Sequence, residues 1–346
     1  MKRLLIIRFS ALGDVAMLVP IVKQLALAYP NWHITMLSRL QTAPLFKDMP
    51  NNVHFVGADL KGKHKGIQGL NLLLRDIHYQ QFDAIADMHN VLRSKWLCWR
   101  MRLMGKRVVT LCKGRLQKWF LTHTAYNKPL LPTTQRYIRV LQQLGFSFSL
   151  TCSSFSQPLR QGYGIAPFAA HKGKIYPLDK MEVVVRELAQ SEEPIYLFGA
   201  GKKEKEILEA WDNKYENVYS LVGKYAMDEE IAFMRTLRLM LTMDSANMHL
   251  ASIAGTRVLS IWGATHPNAG FLGYGQNECD CIQHNNLPCR PCSIYGNKKC
   301  KFGDYRCLNI LPTTILKQIL DKNPCRVWLS LIPNMIFYAK KYMTFP

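Results

Sequence analysis

Apolar residues dominate the stretches 4–9, 33–38, 53–56, 82–88 and 107–111, as in buried strands, and helical stretches separate these runs. Between the first two runs Val15, Leu18, Val19, Val22, Leu25, Ala26 and Tyr29 recur at three- and four-residue steps. That spacing predicts one helix with a single apolar face, closed by Pro30. The pattern restarts with strands at 163–168, 194–198, 218–222, 239–243 and 257–262, and helices near 179–190, 201–211 and 226–238. Strand and helix in alternation mean an α/β chain with parallel sheets, here two doubly wound, Rossmann-like domains. Their boundary is expected in Ser147–Gly162, where periodicity lapses and Pro158 and Gly162 appear. The expected division is 1–155, then 156–322 with a cysteine-rich segment at 279–307, then a tail at 323–346. Ligands of open parallel sheets bind beyond the carboxyl ends of the strands, so two such sheets place the site in the cleft between domains.

The length of 346 residues agrees with two domains. Hydrophobic residues at 48% and charged residues at 20% describe a globular protein, and no apolar run reaches the roughly 18 residues that span a bilayer. Lys2 and Arg3 precede only Leu4–Ile7 before Arg8 interrupts, too short for a signal-peptide core, so a cytoplasmic location is expected. Forty-five basic against twenty-four acidic residues give a net charge of +21, which calls for polyanionic partners: nucleic acid, an anionic membrane surface or phosphorylated substrates. In the tail, Val327–Ile332 and Met335–Tyr338 mix with Arg326, Lys340 and Lys341, a composition suited to an anionic interface or to a last helix packed on the body. Lys61-Gly-Lys-His-Lys65 reads as a mobile basic loop, in contact with an acidic acceptor or simply solvated.

Candidate chemistry sits where strands end. The first runs into Arg8-Phe-Ser-Ala-Leu-Gly-Asp14. There Gly13 permits close backbone approach, and Asp14 either stabilises a helix start or serves as a general base aimed into the cleft. Pro194–Gly201 ends in Gly199-Ala-Gly201, a partial glycine-rich turn with no third glycine, which is weak support for phosphate binding and none for a nicotinamide cofactor. Lys174, in His171-Lys-Gly-Lys174 ahead of Ile-Tyr-Pro, is either a solvated lysine or a cation that neutralises a departing diphosphate. At Asp244-Ser-Ala-Asn-Met-His249, helix-start N–H groups and the Ser245 hydroxyl suit phosphate oxygens, and His249 shares a face with Ser245. The next strand runs into Gly263-Ala-Thr-His-Pro267.

Together, Ser10-Ala-Leu-Gly-Asp14, Lys174 before Tyr-Pro, Asp244–His249 and Gly263–Pro267 resemble glycosyltransferase family 9, the lipopolysaccharide heptosyltransferases, in order and spacing over residues 1 to 320. The resemblance implies a GT-B architecture, an ADP-heptose donor, a lipopolysaccharide inner-core acceptor, inversion at the anomeric carbon and no cofactor or required metal. It implies that Asp14 is the base and that Lys174 neutralises the leaving diphosphate. Asp244, Ser245, Ala246, His249, Thr265 and Gly199 would line the donor site. Gly13, Arg93 and Ser94 would face the acceptor, the last two at the end of Asp87-Met-His-Asn-Val-Leu-Arg-Ser94. The chain departs from the family at Ala246, where glycine is usual, and at Ala169 and Ala170, where hydroxyls are usual. A lipid A/core acceptor implies an enzyme peripheral to the inner face of the cytoplasmic membrane.

Six cysteines fall between 279 and 307. Cys289-Arg-Pro-Cys292, Cys300 and Cys307 partly resemble a zinc site, but the second pair is separated by six residues and no second CxxC follows. A bound metal, a redox-sensitive cross-link and packed thiols remain open. Two rival functions follow from the same residues. One is a zinc-containing nucleic-acid-binding protein, disfavoured because the basic residues are dispersed and no nucleic-acid-reading motif is present. The other is a nucleotide-sugar epimerase of similar architecture.

Overall fold

The computed structural model describes residues 2–124, 128–150, 160–284 and 287–321. The first half is built from β1 (Lys2–Ile7), α1 (Leu12–Ala16), α2 (Val19–Ala28), β2 (Trp32–Arg39), β3 (Val53–Ala58), α3 (Gly66–Asp76), β4 (Ala84–Asp87), α4 (Leu92–Leu103), β5 (Arg107–Thr110), α5 (Arg115–His123) and α6 (Thr133–Gln143). Its strands form one parallel sheet in the order β3-β2-β1-β4-β5. The second half contains β6 (Tyr163–Ala166), α7 (Leu178–Leu188), β7 (Ile195–Leu197), α8 (Lys202–Asp212), β8 (Val218–Ser220), α9 (Met227–Thr236), β9 (Leu239–Met243), α10 (Ala246–Ala254), β10 (Arg257–Trp262), β11 (Cys281–Gln283) and α11 (Pro312–Leu320). These strands make a six-stranded parallel sheet, β11-β10-β9-β6-β7-β8. Two parallel α/β sheets are what the alternating pattern predicts, and the fold is the GT-B architecture that the resemblance implies.

The central strands carry the longest apolar runs because helices cover both faces. Leu4 to Ile7 of β1 and Leu239 to Met243 of β9 are buried throughout. Each sheet reverses its direction of winding once, between β1 and β4 and between β6 and β9. Ile7 is level with Asp87 across the first reversal, and Ala166 with Thr242 across the second. The two crevices therefore open at the turns after Ile7, Asp87, Ala166 and Met243. One apolar cluster crosses between the halves, where Val15, Ala16 and Met17 pack with Met248, Leu250 and Ala251.

The single helix expected from Val15 to Tyr29 is two. Pro20 lies in the first turn of α2 and has no N–H for an interior helical bond, so the chain breaks at Met17–Leu18. The Lys61–Lys65 loop is held, not free: both Asp59 carboxylate oxygens accept backbone N–H groups from residues 61–63, and the buried His64 contacts Asp76 at 3.0 Å. The α10 helix starts at Ala246, directly after Ser245 at the end of β9. The tail at 323–346 and its apolar and basic groups lie outside the described residues.

Candidate active site

Asp14 stands in the first turn of α1 with its carboxylate drawn back over the turn. Its Oδ2 accepts the Ala11 N–H at 3.2 Å and pairs with Arg8 Nη2 at 2.5 Å. Arg8, itself buried, is anchored by donating to the Met88 carbonyl after β4. Asp14 therefore stabilises its helix start and also faces the cleft. Beneath it, Gly13 lies against a side chain from the other half. A Cβ at residue 13 would meet His249 Cδ2 at 2.4 Å, well inside van der Waals contact. Only glycine lets α1 rest on α10 this way.

Opposite, α10 begins at the end of β9 with Ser245 as its N-cap. The Ser245 hydroxyl makes no capping bond, so the first N–H groups of α10 have no side-chain partner there. Ser245 Oγ and His249 Nδ1 are buried without a hydrogen-bond partner among the described residues. Burial, then the nearby Lys174 cation, lower the His249 pKa against the opposing pull of Asp244 and Asp14. Lys174 Nζ lies 2.8 Å from the buried Asp244 carboxylate, a charge contact without hydrogen-bond alignment. Its stem is gripped by the cysteine-rich segment: a Cβ on Gly296, whose φ is +78°, would fall 2.5 Å from Lys174 Cγ.

These groups line one cleft of about 870 Å³. Gly13, Asp14, Lys174, Gly199, Asp244, Ser245, Ala246 and His249 all reach it, as do Ala169 and Ala170. The Gly199–Gly201 turn is not a free phosphate grip, because Glu204 Oε2 already accepts the Ala200 N–H at 2.7 Å. Glu230 also lines the cleft, and burial pushes its carboxyl up to about 6. A second pocket of about 240 Å³ opens on the other side of Asp14. Arg8, Lys113, Lys118 and Arg136 bring four cations to it, and Asp14 is the one carboxylate among its lining residues. Lys118 bridges the halves: its Nζ lies 4.7 Å from the Phe271 ring centroid and 3.2 Å from the Tyr295 hydroxyl. Burial, then Arg136, push its pKa down to about 8.

Three of the expected residues lie elsewhere. Ser94 is fully buried and donates to Asp87 at 3.1 Å, tying down the start of α4, and Arg93 beside it is exposed; neither lines either pocket. Thr265 is fully buried and outside both pockets. Its turn is pulled inward by Arg290, which donates to the carbonyls of Trp262, Gly263, Thr265 and His284. Cys289, Cys292, Cys300 and Cys307 are free thiols, and among the described residues no three His, Cys, Asp or Glu side chains are gathered to hold a metal ion. Arg290 and Gly296 make this segment a buttress for Lys174 and the Gly263–Thr265 turn.

Reading along the chain misses Arg8, His89, Lys118, Glu230 and Arg290. His89 meets Ser10 Oγ at 3.2 Å and accepts the Phe9 N–H at 3.4 Å. Burial, then Arg8, push His89 down to about 3, and burial, then Arg290, push His266 down to about 4, from an ordinary 6.5. The unfolded chain thus binds these protons first, and the stability the two rings supply above pH 6.5 is lost as pH falls toward 4 and 3. At pH 4.5, two units below the ordinary value, that loss is about 3 kcal/mol for the buried His89 and less for the partly exposed, solvent-screened His266. His266 Nδ1 accepts the Asn268 N–H, a bond glutamine can copy. The melting temperature of His266→Gln is expected to fall less than that of the wild type between pH 7.5 and 4.5. Parallel curves would refute it.

Two facing parallel sheets, an interdomain cleft and a helix N-terminus at its floor define the GT-B fold with a cleft suited to a phosphorylated ligand. Residues 71–305 match glycosyltransferase family 9 (heptosyltransferase), and the chain belongs to that family. It is 23% identical over 285 residues to the lipopolysaccharide core heptosyltransferase OpsX of Haemophilus influenzae, covering 77% of this chain and 80% of that one. Among solved structures, a glycosyl transferase family 9 protein from Veillonella parvula superposes with a TM-score of 0.71 at 20% identity, over 91% of this chain and 95% of that one. The E. coli heptosyltransferase WaaC with ADP gives 0.66 at 16%, over 92% and 99%.

Proposed function

We propose that the protein is an inverting heptosyltransferase that moves a heptose from an ADP-activated donor to a lipopolysaccharide inner-core sugar at the cytoplasmic face of the membrane. The observation that carries this reading is the meeting of two unequal pockets at Asp14. The large cleft has the volume for a nucleotide-sugar, and the small cationic pocket suits an anionic acceptor. The Asp14 carboxylate removes the proton of the acceptor hydroxyl as that oxygen bonds to the anomeric carbon from the face opposite the diphosphate. The bond from the anomeric carbon to the phosphate oxygen breaks and its electron pair stays on the diphosphate. Lys174, the α10 N-terminus and Ser245 stabilise the charge growing there, and no cofactor is needed. Asp244 holds Lys174 in place by charge, which leaves the ammonium donors for phosphate oxygens. Glu230 offers an acceptor for ribose hydroxyls.

A melting screen against nucleotides and nucleotide-sugars tests the donor class. At a hundred times its dissociation constant an ADP-sugar adds about 2.7 kcal/mol of stability. UDP- and GDP-sugars are expected to add little. Equal shifts by all three would sink the ADP assignment, and conversion of the donor with no acceptor present would favour the epimerase.

A further inference from the structure

We propose that α5, together with the first turn of α4, is the face that docks on an anionic lipid bilayer and presents the cationic pocket to a lipid-borne acceptor. The inference rests on the acceptor being lipid-linked, as in the function proposed above.

Both segments leave the carboxyl ends of neighbouring parallel strands. Asp87 of β4 is level with Thr110 of β5, and Asn90 Nδ2 donates to the Leu111 carbonyl at 2.7 Å, so the two turns are tied together. From that shared edge large apolar side chains face solvent: Leu92 is 86% exposed, Leu116 68%, Trp119 51% and Phe120 40%. Scattered singly, such residues would need no explanation, but three of these four lie within five residues of one helix. Arg93, Lys95 and Arg115 are exposed beside them.

The stretch of chain that carries this face has charge of one sign. Between Asp87 and Asp179 the chain has no acidic residue and fifteen lysines and arginines. A protein partner of mixed charge does not require ninety residues without a carboxylate. A surface of phosphate headgroups over hydrocarbon does match basic side chains interleaved with tryptophan, phenylalanine and leucine, each apolar group entering the interface and each cation staying at headgroup level. No helix among the described residues is long and apolar enough to cross a membrane, so contact through this face is interfacial.

The position of α5 supplies the reason for such contact. Lys118, on the same helix, lines the cationic pocket next to Asp14, and Lys113 lines it from the turn just before. A sugar attached to a membrane lipid then reaches the base without leaving the bilayer surface.

The test uses the full chain and vesicles, with no donor present, so its failure would leave the donor assignment standing and a failed donor screen would leave this proposal standing. Wild-type protein is expected to sediment with vesicles containing phosphatidylglycerol and much less with pure phosphatidylcholine, salt reducing the difference. Leu116→Ser/Trp119→Ser is expected to bind phosphatidylglycerol vesicles at least tenfold more weakly. Its melting temperature should stay within about a degree of the wild type, since both side chains are exposed. Lys95→Ser/Arg115→Ser is expected to lose most of the preference for anionic lipid. On a soluble, delipidated acceptor oligosaccharide the apolar double variant should turn over like the wild type. Failure of the wild type to bind anionic vesicles, or retention of wild-type binding by the apolar variant, would overturn the proposal. So would a wild-type dimer that the apolar variant turns into a monomer, because a second copy would then cover the face.

Discussion

Asp14→Asn is expected to transfer sugar about 10²- to 10⁴-fold more slowly than the wild type, the range a positioned general base supplies. Asparagine keeps the size of the side chain and an oxygen for the Ala11 N–H, but it cannot take a proton from the acceptor hydroxyl. The partner Arg8 is buried and would lose its counter-charge, so some loss of stability accompanies the change. Donor affinity separates the two effects. It should remain within a few-fold of the wild type by calorimetry below the melting temperature, because the α10 phosphate turn is untouched. Turnover near the wild-type rate would remove Asp14 as the base.

Lys174→Met is expected to lower kcat by about 10²- to 10³-fold, as when one preorganised group aimed at developing charge is deleted. Methionine preserves the stem that packs under Gly296, so the charge is the main thing removed. The same change leaves Asp244 buried without its cation, and breaking one side of a buried pair costs about 3–5 kcal/mol. The double variant Lys174→Met/Asp244→Asn should therefore recover most of the melting temperature and none of the rate. Recovery of both would make Lys174 a structural counter-ion only.

The architecture was legible because buried parallel strands are nearly pure apolar runs, and β1, β2, β6, β9 and β10 could be seen directly. The short β11 (Cys281–Gln283) was hidden among cysteines and polar residues, since three residues carry no period. The break ahead of Pro20 escaped notice because the apolar face continues across it. Within the site, Gly13, Asp14, Lys174 and Asp244–His249 could be found as residues at strand ends, which topology sends to one cleft. Arg8 meets Asp14 only with the help of Met88, eighty residues away, and Lys118 meets Tyr295 across 177 residues. The first depends on two neighbouring strand ends of one sheet and the second on how the halves close, and no local spacing records either. Thr265 shows the converse: a strand-end position is necessary for a site residue but not sufficient, since Arg290 turned this one inward.

The seating of Gly13 on His249 also bears on how members of such a family recombine. Each sheet has one core of its own and shares another across the seam, so the two halves are units of exchange only where that seam is kept. The proposed base Asp14, however, rides on a five-residue helix whose floor is a ring from the other half. A chimaera could keep both sheets intact and still misplace its carboxylate, because the seam is gauged by one missing methyl group and one imidazole. Compatibility at residues 13 and 249, more than similarity across either half, sets which exchanges yield a working enzyme.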